Sequence, residues 1–207
     1  KVMNSYYGSD VNTPINLKNE KTIFSDESTI ETAYQYAYEK GNQKLIDANM
    51  VGIPLDTEVK KDGKTISKAE TKYDNPVNLL PSSVLSYNMQ SNTPSTEVTY
   101  DIYDGKRNLI QYTTKAGVST SIIWGYNQTQ PIAKIEGAKL SDITQTLINS
   151  IVNASDDTNA NYSESTLLNQ LDAFRIALPN FQISTYTYKP LIGVTTITPP
   201  SGIREYY

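Results

Sequence analysis

The stretch TYDIYDGKRNLIQYTTKAGVSTSIIWGYN, residues 99–127, decides how the chain is read. Its Tyr, Thr, Val and Ile residues suit a pleated, half-buried surface. Its breaks fall at Asp104-Gly105 and at Lys115-Ala116-Gly117. Short β-prone runs separated by turn residues make a meander. Val98-Thr99-Tyr100 leads into the first break, Asn108 to Thr113 follows, and Ser119 to Trp124 completes the run. Ser121-Ile122-Ile123-Trp124 would aggregate if exposed, so a strand covered on both faces is expected there, with Trp124 in the core.

The same rhythm extends towards the N-terminus. TEVKK and KTISKAETKY flank Asp62-Gly63, a two-residue loop that favours a type I′ hairpin. AYQYAYE, residues 33–39, places Tyr34, Tyr36 and Tyr38 at period two and predicts a strand with one aromatic face. A short helical turn is expected at Gln43 to Asn49, and a strand at Ser83 to Met89 between prolines. The first 30 residues, rich in Asn, Ser, Lys and Glu, read as a weakly structured lead-in.

Past Gly137 the period changes. Leu140, Ile143, Leu147 and Ile151 recur at helical spacing behind Ser141, a candidate cap. Leu167, Leu171, Phe174 and Leu178 repeat that spacing after the polar link NASDDTNANYS, residues 153–163. Two amphipathic helices in succession make a helical hairpin. Their apolar stripes are expected to face each other and cap an end or edge of the sheet. After Pro179, QISTYTYK and GVTTIT return to β-prone composition. The expected fold is mainly β, an antiparallel strip with an inserted α-helical hairpin. Its divisions are 1–30 (lead-in), 31–137 (meander), 138–179 (hairpin) and 180–207 (returning strands).

Composition narrows the function. The 207 residues hold 18 Lys and Arg against 22 Asp and Glu, a net charge of −4, with no basic cluster of the kind nucleic-acid binders need. No apolar run approaches the roughly 18–20 residues that span a bilayer. Neither Cys nor His occurs, which removes disulfides, thiolate or imidazole metal sites, and the usual general base near neutral pH. No phosphate-cradling glycine loop and no nucleophile-elbow motif is present. The paired acids Asp26-Glu27 and Asp156-Asp157 are too few for calcium and read as solvated loop residues. An enzyme is not expected, nor a cofactor or a metal.

An internal repeat links the opening stretch to the C-terminal strands. Thr113 lies ten residues after Tyr103, and Gly117 lies four beyond that. Thr198 and Gly202 follow Tyr188 at the same offsets, and Leu109 and Tyr112 match Val194 and Ile197. Tyr126 is the candidate opening of a further, degenerate unit.

These residues resemble the YD repeat of RHS-type proteins, Tyr-Asp-x-x-Gly-Asn-Leu-x-x-x-Thr-x-x-x-Gly. Tyr103, Asp104, Asn108, Leu109, Thr113 and Gly117 match it. Arg107 stands at the first Gly, with Gly105 nearby to turn the chain in its place. The second copy keeps Tyr188, Thr198 and Gly202, with Lys189 for Asp and Gly193 for Asn. NMVGIPLDTEV, SIIWGYNQTQPIAKIEGA and TYTYKPLIGVTTITPPSGIREYY are also similar to RHS-type proteins of Bacteroidetes.

The resemblance implies a β-strip belonging to a large hollow shell, in a secreted or cell-surface protein. Its partners would be the remainder of a longer parent chain and an enclosed toxic domain elsewhere in that parent. The alternative is a surface adhesin, or another glycan- or protein-binding module, using a Tyr-rich β-face. Asp104 is expected to accept backbone N–H bonds within its turn rather than to act as a catalytic acid.

Overall fold

The computed structural model describes residues 2–7, 15–157, 164–189 and 191–207. They form a mainly β protein, with thirteen strands and three α-helices among the described residues. Every paired ladder that joins these strands is antiparallel. Contacts divide the chain into two compact units, Lys1–Thr99 and Tyr100–Tyr207.

In the first unit the strands are β1 (Val2–Tyr7), β2 (Leu17–Ile23), β3 (Thr29–Gln35), β4 (Asp56–Lys61), β5 (Lys64–Lys72), β6 (Ser83–Tyr87) and the start of β7 (Pro94–Tyr103). Each pairs with its chain neighbours. Where a lead-in was expected, β1 pairs with β2 from Val2↔Ile23 to Tyr7↔Leu17. Residues 8–14 of that lead-in lie outside the described residues. The Asp62-Gly63 hairpin is present, with φ of 48° and 77° as a type I′ turn requires.

The aromatic strand expected over 33–39 ends sooner. β3 stops at Gln35, and residues 37–41 form turns. Tyr36 leaves the ladder because its hydroxyl donates to the Leu17 carbonyl at 2.6 Å while its N–H donates to Glu39 at 2.9 Å. Helix α1 (Gln43–Asp47) follows, capped by Asn42, whose side chain accepts the Leu45 N–H at 3.2 Å. Leu45 packs with Ala37, Leu55 and Tyr73 in a small core. Lys44 straps the 73–78 loop to this core by donating to the carbonyls of Tyr73, Asn75 and Asn78 at 2.6, 2.7 and 3.0 Å. The remaining strand residues are mostly half-buried on both faces.

In the second unit the end of β7 is followed by β8 (Leu109–Thr114), β9 (Ser119–Gly125), β10 (Gln130–Glu136), β11 (Gln182–Lys189), β12 (Gly193–Thr198) and β13 (Glu205–Tyr206). Helices α2 (Gln145–Asp156) and α3 (Glu164–Ala177) lie between β10 and β11 in sequence. They do not interrupt the ladder, because Ala133↔Thr185 to Glu136↔Gln182 pair directly. The helices pack on each other and cover a face of the sheet. Ile151, Leu167, Leu171 and Phe174 meet Ile123, Ile132, Ile135 and Ile183 there. The hairpin therefore covers a sheet face, not an end or edge, since each helix has one stripe and the sheet offers the larger apolar surface.

Two details of that hairpin differ from expectation. The first helical run breaks into a 3₁₀ turn at Leu140–Asp142 and α2 proper, so Thr144 and not Ser141 precedes the helix. Residues 158–163 of the polar link lie outside the described residues. Trp124 is only half-buried, because β9 turns Ser121 and Ile123 towards the helices and Trp124 to the opposite face. Its indole N–H donates to the Leu109 carbonyl at 2.9 Å. No described helix is long and apolar enough to cross a membrane.

Candidate functional site

The repeat residues occupy turns and strand ends of the second unit. Tyr103 closes β7, with its ring centroid 6.5 Å from that of Tyr100. Asp104 then organises the turn. Its Oδ1 accepts the N–H groups of Lys106 and Asn108 at 2.9 and 2.8 Å, and its Oδ2 accepts the Asn108 amide at 3.0 Å. This is the turn-forming role expected of Asp104. These carboxylate bonds all come from donors of its own turn.

The left-handed residue of the turn is Arg107, with φ of 71°, and not Gly105. A glycine suits that position because a Cβ is penalised there. Arg107→Gly is accordingly expected to stabilise the second unit by up to about 1 kcal/mol. The check is a denaturant midpoint read from Trp124 fluorescence.

The two copies share their turn bonds. Arg107 N donates to Asp104 O at 3.0 Å, and Ile192 N to Lys189 O at 3.1 Å. Gly117 N donates to Thr114 O at 2.8 Å, and Gly202 N to Pro199 O at 2.9 Å, with φ of 77° and 83°. Each of these four bonds falls at the same offset from Tyr103 or Tyr188.

The side chains are used differently. Thr113 donates to Asp101 at 2.7 Å, whereas Thr198 is buried and accepts from Arg204 at 2.9 Å. Leu109 opens β8, and Gly193 opens β12 at φ of 121°. Tyr126 differs from Tyr103 and Tyr188. It sits inside the β9–β10 turn at φ of 51°, not at a strand end.

The fold nevertheless brings Tyr126 and Tyr188 together. Their rings meet edge-on with centroids 5.6 Å apart, and the Tyr188 N–H donates to the Tyr126 hydroxyl at 2.9 Å. The Tyr188 hydroxyl donates to the Pro131 carbonyl at 3.0 Å. Burial, with a smaller contribution from Tyr186, pushes the Tyr188 phenol above its ordinary range. Asp156, expected to be merely solvated, instead accepts the Asn127 N–H at 2.7 Å.

A second constellation, in the first unit, escaped the sequence reading. Asp56 and Glu70 are directly opposed across β4 and β5, and both are buried. Opposed like charges repel unless compensated. Lys40 lies 2.8 Å from Glu70 and 3.5 Å from Asp56, Lys72 lies 3.2 Å from Glu70, and Lys68 lies 3.4 Å from Asp56. Tyr87 donates its hydroxyl to Glu70 at 2.7 Å.

Burial alone would raise the Glu70 carboxyl, but the bonds from Lys40, Tyr87 and Lys72 outweigh it and hold the pKa at about 2. The bond to Glu70, and then burial, push Tyr87 up to about 12. A depressed carboxylate stabilises the fold above its unfolded pKa, and that stability is lost as pH falls through the folded value. The first unit should therefore lose about 1–3 kcal/mol between pH ~4.5 and ~2. Glu70→Gln should flatten this acid limb in chemical denaturation followed by circular dichroism.

Among the described residues no group of three or more Asp and Glu side chains is placed to hold a metal ion. Compared with models of known protein families and with curated proteins, the chain matches none.

Proposed function

We propose that this chain builds a length of β-wall in a secreted or cell-surface protein of the RHS/YD-repeat kind. Its role is structural, not enzymatic. The observation that carries this reading is the sequential meander: within each unit the strands pair with their neighbours in the chain. Such a ladder extends by adding strands rather than by closing around a single core. The matched turn bonds after Tyr103 and Tyr188 support a repeating unit behind it. In this reading the chain's partners are neighbouring strands of a longer parent, and a toxic cargo domain elsewhere in that parent is what the wall encloses.

Small-angle scattering with light scattering tests this on the 207-residue chain. A compact single globule of that length has a radius of gyration of about 17 Å. A wall segment should give a clearly larger radius, or associate through its strand edges. A monomer at the compact value would count against the proposal.

A further inference from the structure

Helices α2 and α3 are bonded to turns at both ends of the ladder that they cover. At one end is the β9–β10 turn, between the paired Gly125 and Gln130. Its Tyr126, Asn127 and Gln128 hold consecutive left-handed φ values of 51°, 56° and 61°. That region is strained for residues with a Cβ, and such strain persists only where neighbouring structure holds it. The last turn of α2 supplies the hold. Ser155 Oγ accepts the Tyr126 N–H at 3.2 Å, and Asp156 Oδ1 accepts that of Asn127 at 2.7 Å. Asn108 and Lys106 hold the carbonyls of Gln128 and Asn127 from the neighbouring turn, which leaves the two N–H groups to α2.

The other end is where β12 stops. Thr198 lies opposite Thr185, which lies opposite Ala133, so the chain beyond Thr198 runs towards the Glu136 end of β10. Pro199 and Pro200 come next, and neither has an N–H to extend a ladder. Here the last turn of α3 takes hold. Arg175 donates to the carbonyls of Thr198, Pro199 and Pro200 at 3.3, 2.9 and 3.3 Å, and to that of Ile183 on β11. Asp172 accepts from Arg204 at 2.5 Å, and Arg204 also donates to the Thr198 hydroxyl at 2.9 Å.

Between these ends the two helices pack as one body. Ile151 of α2 shares a core with Leu167, Leu171 and Phe174 of α3. Glu164, at the start of α3, accepts the hydroxyls of Thr187 and Thr195 from β11 and β12. A helix end that lifts from its turn must disturb this shared core. Packed cores of this kind shift between discrete arrangements and do not deform continuously.

We infer that the α2–α3 hairpin is a two-state clasp on the second unit. Closed, it holds the left-handed 126–128 turn at one end of the ladder and the 199–202 turn at the other. Open, it frees both turns together and releases the strain of the first, while the ladder beneath stays paired. Opening also reaches the end of β11, because the Tyr126 hydroxyl accepts the Tyr188 N–H at 2.9 Å. The clasp belongs to this unit alone and does not depend on the wall reading.

The test is amide hydrogen exchange of the whole chain, resolved by ¹H–¹⁵N NMR. In the natural chain Tyr126, Asn127 and Gly202 should share one protection factor within about threefold, below that of the β9–β10 ladder amides. Arg175→Met keeps the apolar stem and removes the bonds to the 198–200 carbonyls. It should lower protection about tenfold at Gly202, and by the same factor at Tyr126 and Asn127 at the far end. Asp156→Ala is the reciprocal variant, and decides alone if Arg175→Met does not fold. It should lower protection at Gly202 by the same factor as at Tyr126. The clasp is overturned if either variant loosens only its own end of the ladder. It is equally overturned if the two turns are protected as strongly as the ladder, since nothing short of unfolding the unit would then open them.

Discussion

Phe174→Ala should destabilise the second unit by about 3–5 kcal/mol, the range for removing a large buried aromatic. Phe174 is 1% exposed and sits among Ile151, Leu167, Leu171 and Ile183, where α3 lies on the sheet. Truncation removes contacts to helix and strand at once, and the surrounding side chains cannot close the gap without moving both. Ile176, two residues on, is 78% exposed, so Ile176→Ala should stay within about 0.5 kcal/mol of the natural chain. Guanidinium unfolding read from Trp124, the only tryptophan, compares the two directly. Equal effects would mean that α3 does not seat on the sheet through this stripe.

The second large effect is expected from Gly125→Ala, and its cause is contact, not backbone conformation. An added Cβ would fall inside contact distance of Ser155 Oγ and 2.9 Å from two side-chain carbons of Ile132. Ser155 is buried and tied to the Val152 carbonyl and the Tyr126 N–H, so it cannot swing away without freeing the 126–128 turn. Overpacking of this kind costs about 1–3 kcal/mol. Because Gly125 and Ser155 touch, Ser155→Ala in the same chain should make the double variant less destabilised than the sum of the singles. Simple additivity in the same denaturation measurement would show that α2 does not approach β9 this closely.

What was legible in the sequence was what period and turn chemistry encode. The Leu167, Leu171, Phe174 and Leu178 stripe is buried as its spacing demands. Asp62-Gly63 makes its hairpin, and Asp104 binds its own turn. β1 and β2 were missed because strands half-exposed on both faces show no apolar alternation to read.

The Asp56 and Glu70 pair was hidden by a single extra residue. A regular hairpin about Asp62-Gly63 continues Lys61↔Lys64 to Asp56↔Ala69. The shift between Val59 and Lys60 moves Asp56 opposite Glu70 instead. Tyr126 and Tyr188 are 62 residues apart, and they meet only because β11 pairs with β10 past both helices. The repeat offsets were visible, but they gave no sign that Tyr126 would turn inward as a partner for Tyr188.

Electron cryo-microscopy of the intact protein that carries this sequence is the most direct measurement of the central proposal. If the chain is wall, its strands will lie in a curved sheet bounding an internal cavity, with further strands hydrogen-bonded on either side. A solid, compact particle in which these residues form a separate closed domain would contradict it.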